Sequence, residues 1–311
     1  MGARRPQGRG ASAGRARTAR RTGADAVDAD AKRGPYASQR IMLLTQHGKE
    51  HALAPVIRDG LGARLEVVHG FDTDSLGTFT RDVPRAGTQL EAARAKARIA
   101  IERSGGQLGL GSEGAFNPGP FGIGCWNVEL VLLADAARGI EVVGRAHGPG
   151  LHVHGTVATD AELRALAERA GFPEHGLVIR PEGPDDARVR KGIAAWAELA
   201  RAFEETRRES PSGAVFVESD LRAHMHPSRM ALIRTAGADL VARLSTACPS
   251  CGLPGFGLSE VVPGLPCAAC GTQTQEPLAD IHSCVRCDYR EERRRDGSTA
   301  ADPGHCPYCN P

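Results

Sequence analysis

The sequence predicts an α/β protein: a mixed sheet flanked by helices, followed by a small double zinc-ribbon module. Three observations support this fold class. Short β-branched apolar runs alternate with helical patterns from Ile41 onward. Two Thr-x-x-Glu sequences, beginning at Thr88 and Thr159, are typical of helix starts. After residue 245 the pattern changes to turns and paired cysteines, which indicates a separate C-terminal module.

Composition limits the classes of protein that this chain can form. Its 311 residues are 41% hydrophobic, which is enough to bury the core of one large or two modest domains. Aromatic residues make up only 4%, which argues against a surface that stacks single-stranded bases. No run approaches the roughly 18 apolar residues of a membrane span, and no apolar segment follows the first basic residues. We therefore expect a cytoplasmic protein with no membrane partner.

Residues 1–38 are rich in arginine, alanine and glycine and contain almost no large apolar side chain. Such a segment cannot bury enough surface to offset the entropy lost on ordering, so a disordered tail is predicted. Three interpretations remain open: a tether to nucleic acid or another anionic surface, a transit peptide, or a solvated extension.

Residues 39–245 are predicted to form the α/β domain, which carries a candidate phosphate and metal site. Apolar runs predict strands at 41–45, 64–69, 108–111, 128–134, 140–145, 176–180 and 214–218. Helical patterns predict helices at 49–60, 185–208 and 228–245, in addition to the two that follow Thr88 and Thr159.

Residues 246–311 form the predicted zinc module. Eight of the nine cysteines fall into four Cys-x-x-Cys pairs: Cys248/Cys251, Cys267/Cys270, Cys284/Cys287 and Cys306/Cys309. This spacing is typical of knuckles that close a tetrahedral four-thiolate zinc site. A chain without a secretion signal is expected in a reducing compartment, which favours zinc over disulfides. We expect two structural Zn²⁺ sites, each formed by consecutive pairs, with interleaved pairs as the alternative.

Polar residues follow three of the predicted strands. They are Thr45, His47 and Lys49 after the first strand, Asp72 and Asp74 after the second, and Glu113 at the end of the third. Ligands of open α/β sheets bind beyond the carboxyl ends of the strands, where loops meet helix N-termini. We therefore expect these side chains to converge on one ligand site.

The acids and lysines together suit Mg²⁺ and a phosphate group. The acids predicted to surround the ion are Glu113, Asp72, Asp74 and Glu91, and the lysines predicted to contact phosphate oxygens are Lys49 and Lys96. On this interpretation the chain hydrolyses a nucleotide or another phosphate ester. The competing interpretation is structural, because Asp-x-Asp is also a common turn and Glu91 belongs to a capping box.

Charged groups in the second half are further candidates for binding an anionic substrate. Lys191 begins the run KGIAAWAELARAF within the predicted helix 185–208, and Arg222 follows the last predicted strand. Both are predicted to contact substrate, although Asp220 could pair with Arg222 as a structural contact instead. Cys125 has no neighbouring base in the sequence and is predicted to be buried rather than nucleophilic.

Two family resemblances add to this interpretation. The run from Glu91 to Ala97, EAARAKA, followed by LGSEG around Glu113, resembles the inosine/xanthosine triphosphatase family. That resemblance covers roughly residues 41–146 and implies a nucleoside triphosphatase with a metal-binding acid. The chain is also similar, over nearly its whole length from residue 41, to a bacterial family of unknown function. The similar motifs are FDTDSLGTFTRDVPR, LGLGSEGAFNPGP, ESDLRAHMHPSRM and GLPCAACG.

The alternative function is that of a non-catalytic zinc-ribbon protein that binds nucleic acid or a protein partner. Its contacts would come from the arginine-rich tail and the zinc module. The basic residues of the module, however, are interleaved with acids, as in CVRCDYREERRRD. The sequence identifies no particular protein partner.

Overall fold

The computed structural model describes residues 1–2, 34–76, 87–119, 122–297 and 299–311. Within this part of the chain, five α-helices and twelve strands form an α/β protein with three sheets, which confirms the predicted fold class. Most of the predicted tail, residues 3–33, lies outside the described residues. No helix in the described ranges is long and apolar enough to cross a membrane.

The first sheet has five strands in the order β2-β1-β3-β4-β5. These are β1 (Arg40–Leu44), β2 (Arg64–Val68), β3 (Leu108–Pro118), β4 (Cys125–Asp135) and β5 (Ile140–Gly150). β1 is parallel to both β2 and β3, whereas β4 is antiparallel to β3 and β5. β1 pairs with β3 only as far as Leu110, so the rest of β3 extends beyond the carboxyl end of β1.

Helices cover both faces of this sheet. The helices are α1 (Glu50–Leu61), α2 (Gln89–Ser104), α3 (Asp160–Arg169), α4 (Trp196–Glu209) and α5 (Pro227–Leu244). α2 packs on β3, and α5 packs on β4 and β5 beside α1. The approach of α2 is very close: a Cβ at Gly111 would lie 1.9 Å from the carbonyl oxygen of Ala93. Glycine on β3 therefore sets the position of α2.

The second sheet has the order β6-β9-β7-β8 and only antiparallel pairs. Its strands are β6 (His154–Val157), β7 (Leu177–Pro181), β8 (Arg190–Ile193) and β9 (Val215–Ser219). A buried apolar cluster joins one face of this sheet to α3 and α4, with Leu166, Phe203 and Val217 near its centre. The loop after β9 leads into α5, which connects the second sheet back to the first.

The C-terminal module follows α5 and contains the third sheet. Its antiparallel strands are β10 (Gly257–Pro263), β11 (Pro277–Ser283) and β12 (Arg290–Arg294). The Arg286 side chain donates hydrogen bonds from Nη1 to the carbonyl oxygens of Arg138 (3.3 Å) and Gly139 (3.1 Å). These contacts attach the module to the turn between β4 and β5.

Three details of the sequence prediction are wrong. The predicted helix 185–208 begins only at Trp196, because residues 190–193 form β8 and Gly192 has a positive φ of 79°. Lys191 therefore lies on a strand. The predicted strand 108–111 continues to Pro118, because β4 pairs with it along its full length. β6 was not predicted.

Tyr36 lies within the predicted tail but belongs to the core of the first sheet. Its side chain is 1% exposed, and its hydroxyl donates a hydrogen bond to Asp135 Oδ2 at 3.2 Å. Burial and the adjacent carboxylate raise the pKa of Tyr36 above its usual range. Packing of the α/β domain therefore starts at or before residue 36.

Candidate functional site

The candidate site lies where β3 extends past the carboxyl end of β1. Residues 45–49 lead from β1 into α1 at this edge, and Lys49 occupies the N-cap position of the helix. Lys49 Nζ donates a hydrogen bond to the Ser112 carbonyl oxygen (2.9 Å) and contacts the Ser112 hydroxyl at 3.3 Å. Lys49 thus satisfies part of the strand edge that β1 leaves unpaired.

Lys49 is a buried amine that has no carboxylate partner among the residues that the structure describes. The residue is 7% exposed, and its contacts in the described part of the chain are to the neutral oxygens of Ser112. Burial lowers the pKa of Lys49 to about 7, and the charge of Lys96 acts in the same direction, against the opposing effect of Glu113. At neutral pH the amine is therefore poised between its neutral and charged forms.

Glu113 and Lys96 form a buried ion pair beside Lys49. Lys96 Nζ, on α2, lies 2.5 Å from Glu113 Oε2, on β3, and both residues are less than 10% exposed. Gln89 Nε2 donates to the main-chain oxygens of Glu113 and Val128, each at 2.9 Å. Two residues of α2 therefore position Glu113: Lys96 pairs with its carboxylate, and Gln89, in the first turn, binds its main-chain oxygen.

A second buried ion pair, Glu129–Arg229, lies behind the first. Arg229, on α5, donates from Nε (2.7 Å) and Nη2 (3.2 Å) to the two oxygens of Glu129, on β4, and Nη1 donates to the Leu221 carbonyl oxygen. Gly114 leaves room for this pair, because a Cβ there would lie 2.3 Å from Arg229 Nη2. Glu129 was not predicted as a site residue, although a lone acid in the apolar run VELVLLA is a usable signal.

The loop before α5 brings side chains from the second sheet to the same place. The rings of His47 and His224 are stacked, with centroids 5.2 Å apart and planes 28° from parallel. Burial, reinforced by the charges of Lys49, His224, Arg222 and Lys96, lowers the pKa of His47 to about 3. Near neutral pH, His47 is therefore a neutral ring within a group of cations.

Arg222 is held in place by Asp220. Arg222 Nε and Nη2 donate to the fully buried Asp220 carboxylate at 2.9 and 2.6 Å, and the backbone N of Gly192 donates to it at 3.0 Å. Asp220 is thus paired with Arg222, as the structural interpretation of these two residues predicted. Lys191 is adjacent to this contact in sequence, on β8.

The remaining predicted residues have other contacts. Thr45 Oγ1 accepts a hydrogen bond from the backbone N of His47 at 3.3 Å. Asp72 is exposed and lines an open cavity of about 600 Å³ together with Thr45. The side chain of Asp74 lies outside the described residues. Glu91 accepts hydrogen bonds from Thr88 N (2.7 Å) and Oγ1 (2.9 Å), so its carboxylate serves the capping box of α2.

The predicted Mg²⁺ cluster of acids has no counterpart among the described side chains. In that part of the chain, only two cysteine groups bring three or more His, Cys, Asp or Glu ligand atoms within 4.8 Å of one another. The structure instead combines one acid, Glu113, with the amines of Lys49 and Lys96. This combination favours binding an anion over holding a cation with protein ligands alone.

The two cysteine groups could each hold a metal ion. Their members are Cys248, Cys251, Cys284 and Cys287 in the first group, and Cys267, Cys270, Cys306 and Cys309 in the second. Sulfur–sulfur distances of 3.6 to 3.9 Å within the groups match the roughly 3.8 Å edge of a tetrahedron with zinc–sulfur bonds of about 2.3 Å. Backbone N–H groups of Ala269 and Arg286 point at thiol sulfurs, at 3.4 and 3.3 Å. The residues present therefore fit structural zinc.

The predicted pairing of consecutive knuckles is wrong. Each group combines alternate pairs. The pairing of β10 with β11 places the first knuckle beside the third, and an isolated bridge between Cys267 and Ala301 places the second beside the fourth. Neither His282 nor His305 belongs to a group, and His305 instead lies 2.8 Å from Glu276.

Arginines of the zinc module are paired with acids of the same module. The pairs are Arg290–Glu260, Arg293–Glu291 and Arg295–Asp280, at 3.0, 2.9 and 2.7 Å. This neutralisation reduces the positive field that non-specific binding to nucleic acid requires.

The fold and the two cysteine groups define an α/β protein that is closed by a double four-cysteine module. A family model described as "Domain of unknown function (DUF6671)" matches residues 96–311, which is more than half of the chain. The chain therefore belongs to that family. No curated protein and no solved structure matches the chain. The comparisons give no support to the resemblance to inosine/xanthosine triphosphatases.

Proposed function

We propose that this protein binds the phosphate group of a small molecule beside Lys49, Lys96 and Glu113. The protein then hydrolyses the ester or anhydride bond of that phosphate, and a nucleotide is the first candidate substrate. The observation that supports this most directly is the buried amine of Lys49, whose hydrogen bonds within the described residues go to the neutral oxygens of Ser112. A buried charge is costly unless an opposite charge compensates it. A phosphate oxygen would supply that compensation.

The position in the fold supports the same ligand. The amine lies at the start of α1 and at the carboxyl end of β1, where α/β proteins commonly bind phosphates. Lys96, which is paired with Glu113 and acts electrostatically on Lys49, would contact a second oxygen. Mg²⁺ is commonly held by one or two carboxylates together with substrate phosphates, so Glu113 alone could provide the protein ligand.

A phosphate-release assay tests this function. Nucleoside triphosphates and simple phosphate esters are incubated with the whole protein, once with Mg²⁺ and once with EDTA. Glu113→Gln is expected to reduce release by about 100-fold or more, because it removes the carboxylate that lies beside both lysines of the site. Glu102→Gln, which changes an exposed acid on the same helix as Lys96, serves as the matched control and should behave like the parent.

The proposal fails if no compound of the panel is turned over, or if Glu113→Gln is as active as the parent. Circular dichroism of both variants shows that the comparison is made between folded proteins. A requirement for Mg²⁺ that is lost in Glu113→Gln would assign the ion to this carboxylate and the phosphate.

For the cysteine groups we propose two structural zinc ions. Elemental analysis of the purified protein should give two zinc atoms per chain, and Cys284→Ser should reduce that number. A closed four-thiolate site has no open coordination position, so chelation is expected to unfold the module without directly removing a catalytic group. A metal content near zero in reduced protein would contradict this assignment.

A further inference from the structure

We infer that binding of an oxyanion at this edge is coupled to uptake of one proton by Lys49. The inference rests on the proposed phosphate-binding function and adds to it the protonation state in which the site holds its ligand. Lys49 is charged in the complex and largely neutral in the ligand-free protein above neutral pH.

Four of the buried ionisable groups around Lys49 are already paired. Lys96 is paired with Glu113, and Arg229 is paired with Glu129. Lys49 is the fifth ionisable group of this buried set, and its side-chain hydrogen bonds within the described ranges go to Ser112. Without a ligand the neutral amine is favoured, since it can still donate to the Ser112 carbonyl oxygen at no cost in buried charge.

An anion in contact with Lys49 reverses this preference, because an opposite charge within about 4 to 6 Å favours the charged form. The groups that face Lys49 come from every surrounding element: His47 before α1, Lys96 on α2, Glu113 on β3, Glu129 on β4 and Arg229 on α5. His47, in turn, faces Arg222 and His224 from the loop before α5. The pKa of His47 is lowered to about 3, whereas that of Lys49 is about 7.

Sulfate is the appropriate probe, since its charge does not change between pH 6 and pH 9. Linkage predicts that the dissociation constant for sulfate rises about 50-fold between pH 7 and pH 9, but only about twofold between pH 6 and pH 7. Isothermal titration calorimetry at pH 8, in two buffers with different ionisation enthalpies, should show uptake of nearly one proton per sulfate bound.

Lys49→Arg is the diagnostic variant, because arginine keeps the charge but stays protonated throughout this range. It is expected to bind sulfate with no buffer-dependent enthalpy and with an affinity that is flat from pH 7 to pH 9. Equal enthalpies in both buffers for the parent would overturn the inference, as would proton uptake that persists in Lys49→Arg. Failure of sulfate, inorganic phosphate and nucleotides alike to bind the parent at pH 6 would instead overturn the proposed function. The parent measurement stands by itself should the arginine variant fail to fold.

Discussion

At the scale of single residues, the burial of Lys49 lowers the free energy of unfolding of the ligand-free protein. The unfolded chain holds the proton of a lysine up to a pKa of about 10.4, whereas the folded protein releases it at about pH 7. Between these two values the unfolded state binds more protons than the native state. The contribution of Lys49 to the free energy of unfolding therefore becomes more favourable as the pH rises from 7 to 10.

This linkage gives a prediction for Lys49→Met. The parent should become more stable relative to the variant as the pH is raised from 7 to 9, with a slope of at most about 1.4 kcal/mol per pH unit. Below pH 7 the difference between the two proteins should be constant. Urea denaturation of ligand-free protein at several pH values measures it. A difference that stays constant up to pH 9 would show that Lys49 is not held as the structure indicates.

Several residues of the site could be predicted from the sequence because they follow strands and flank helix starts. Lys49 meets this description, whereas Lys96 lies within α2 and Glu113 within β3; the three lie together in the structure. Glu129 and Arg229 could not be paired in advance, because they are 100 positions apart and sit inside a strand and a helix. Only the packing of α5 on β4 brings them into contact.

At the scale of elements, the contact between α2 and β3 positions Lys96 over Glu113. Gly111 faces the backbone of Ala93, which cannot rotate away as a flexible side chain could. A methyl group at Gly111 must therefore push the helix from the sheet. The same displacement would separate Lys96 from Glu113.

Gly111→Ala is expected to lower the free energy of unfolding by at least about 3 kcal/mol, above the usual range for an overpacked core site. Gly148→Ala, in β5 of the same sheet, is the matched control. The nearest heavy atom to a Cβ at Gly148 is Leu232 Cδ1 at 3.9 Å, so the change should stay within about 0.5 kcal/mol. Equal stabilities of the two variants, measured by thermal or urea denaturation, would contradict this packing.

Elements with a regular apolar period and a capping signal were the predictable ones. α2 and α3 begin after Thr88 and Thr159, where both capping boxes are formed. β8 was predicted as part of a helix, because its four residues come shortly before α4 and fit the first turn of a longer helix. The length of β3 depends on its pairing with β4, and the sequence of β3 by itself does not predict that pairing.

At the scale of the whole molecule, two sheets and a cysteine module are joined through α5. The loop that precedes α5 delivers His224 to His47, and the residues that follow α5 begin the first knuckle at Cys248. One helix thus links the candidate ligand site to the metal module. The sequence does not predict which Cys-x-x-Cys pairs form one group, because all four pairs have the same two-residue gap.

The alternating order of the knuckles makes the module impossible to divide along the chain. A break anywhere between Cys251 and Cys306 separates the members of at least one cysteine group, and a break between Cys270 and Cys284 separates the members of both. With the two proposed zinc ions bound, a protease that cuts within β11 would leave two pieces still held together by both ions. Such a nicked protein would migrate as one species until a chelator released its halves together.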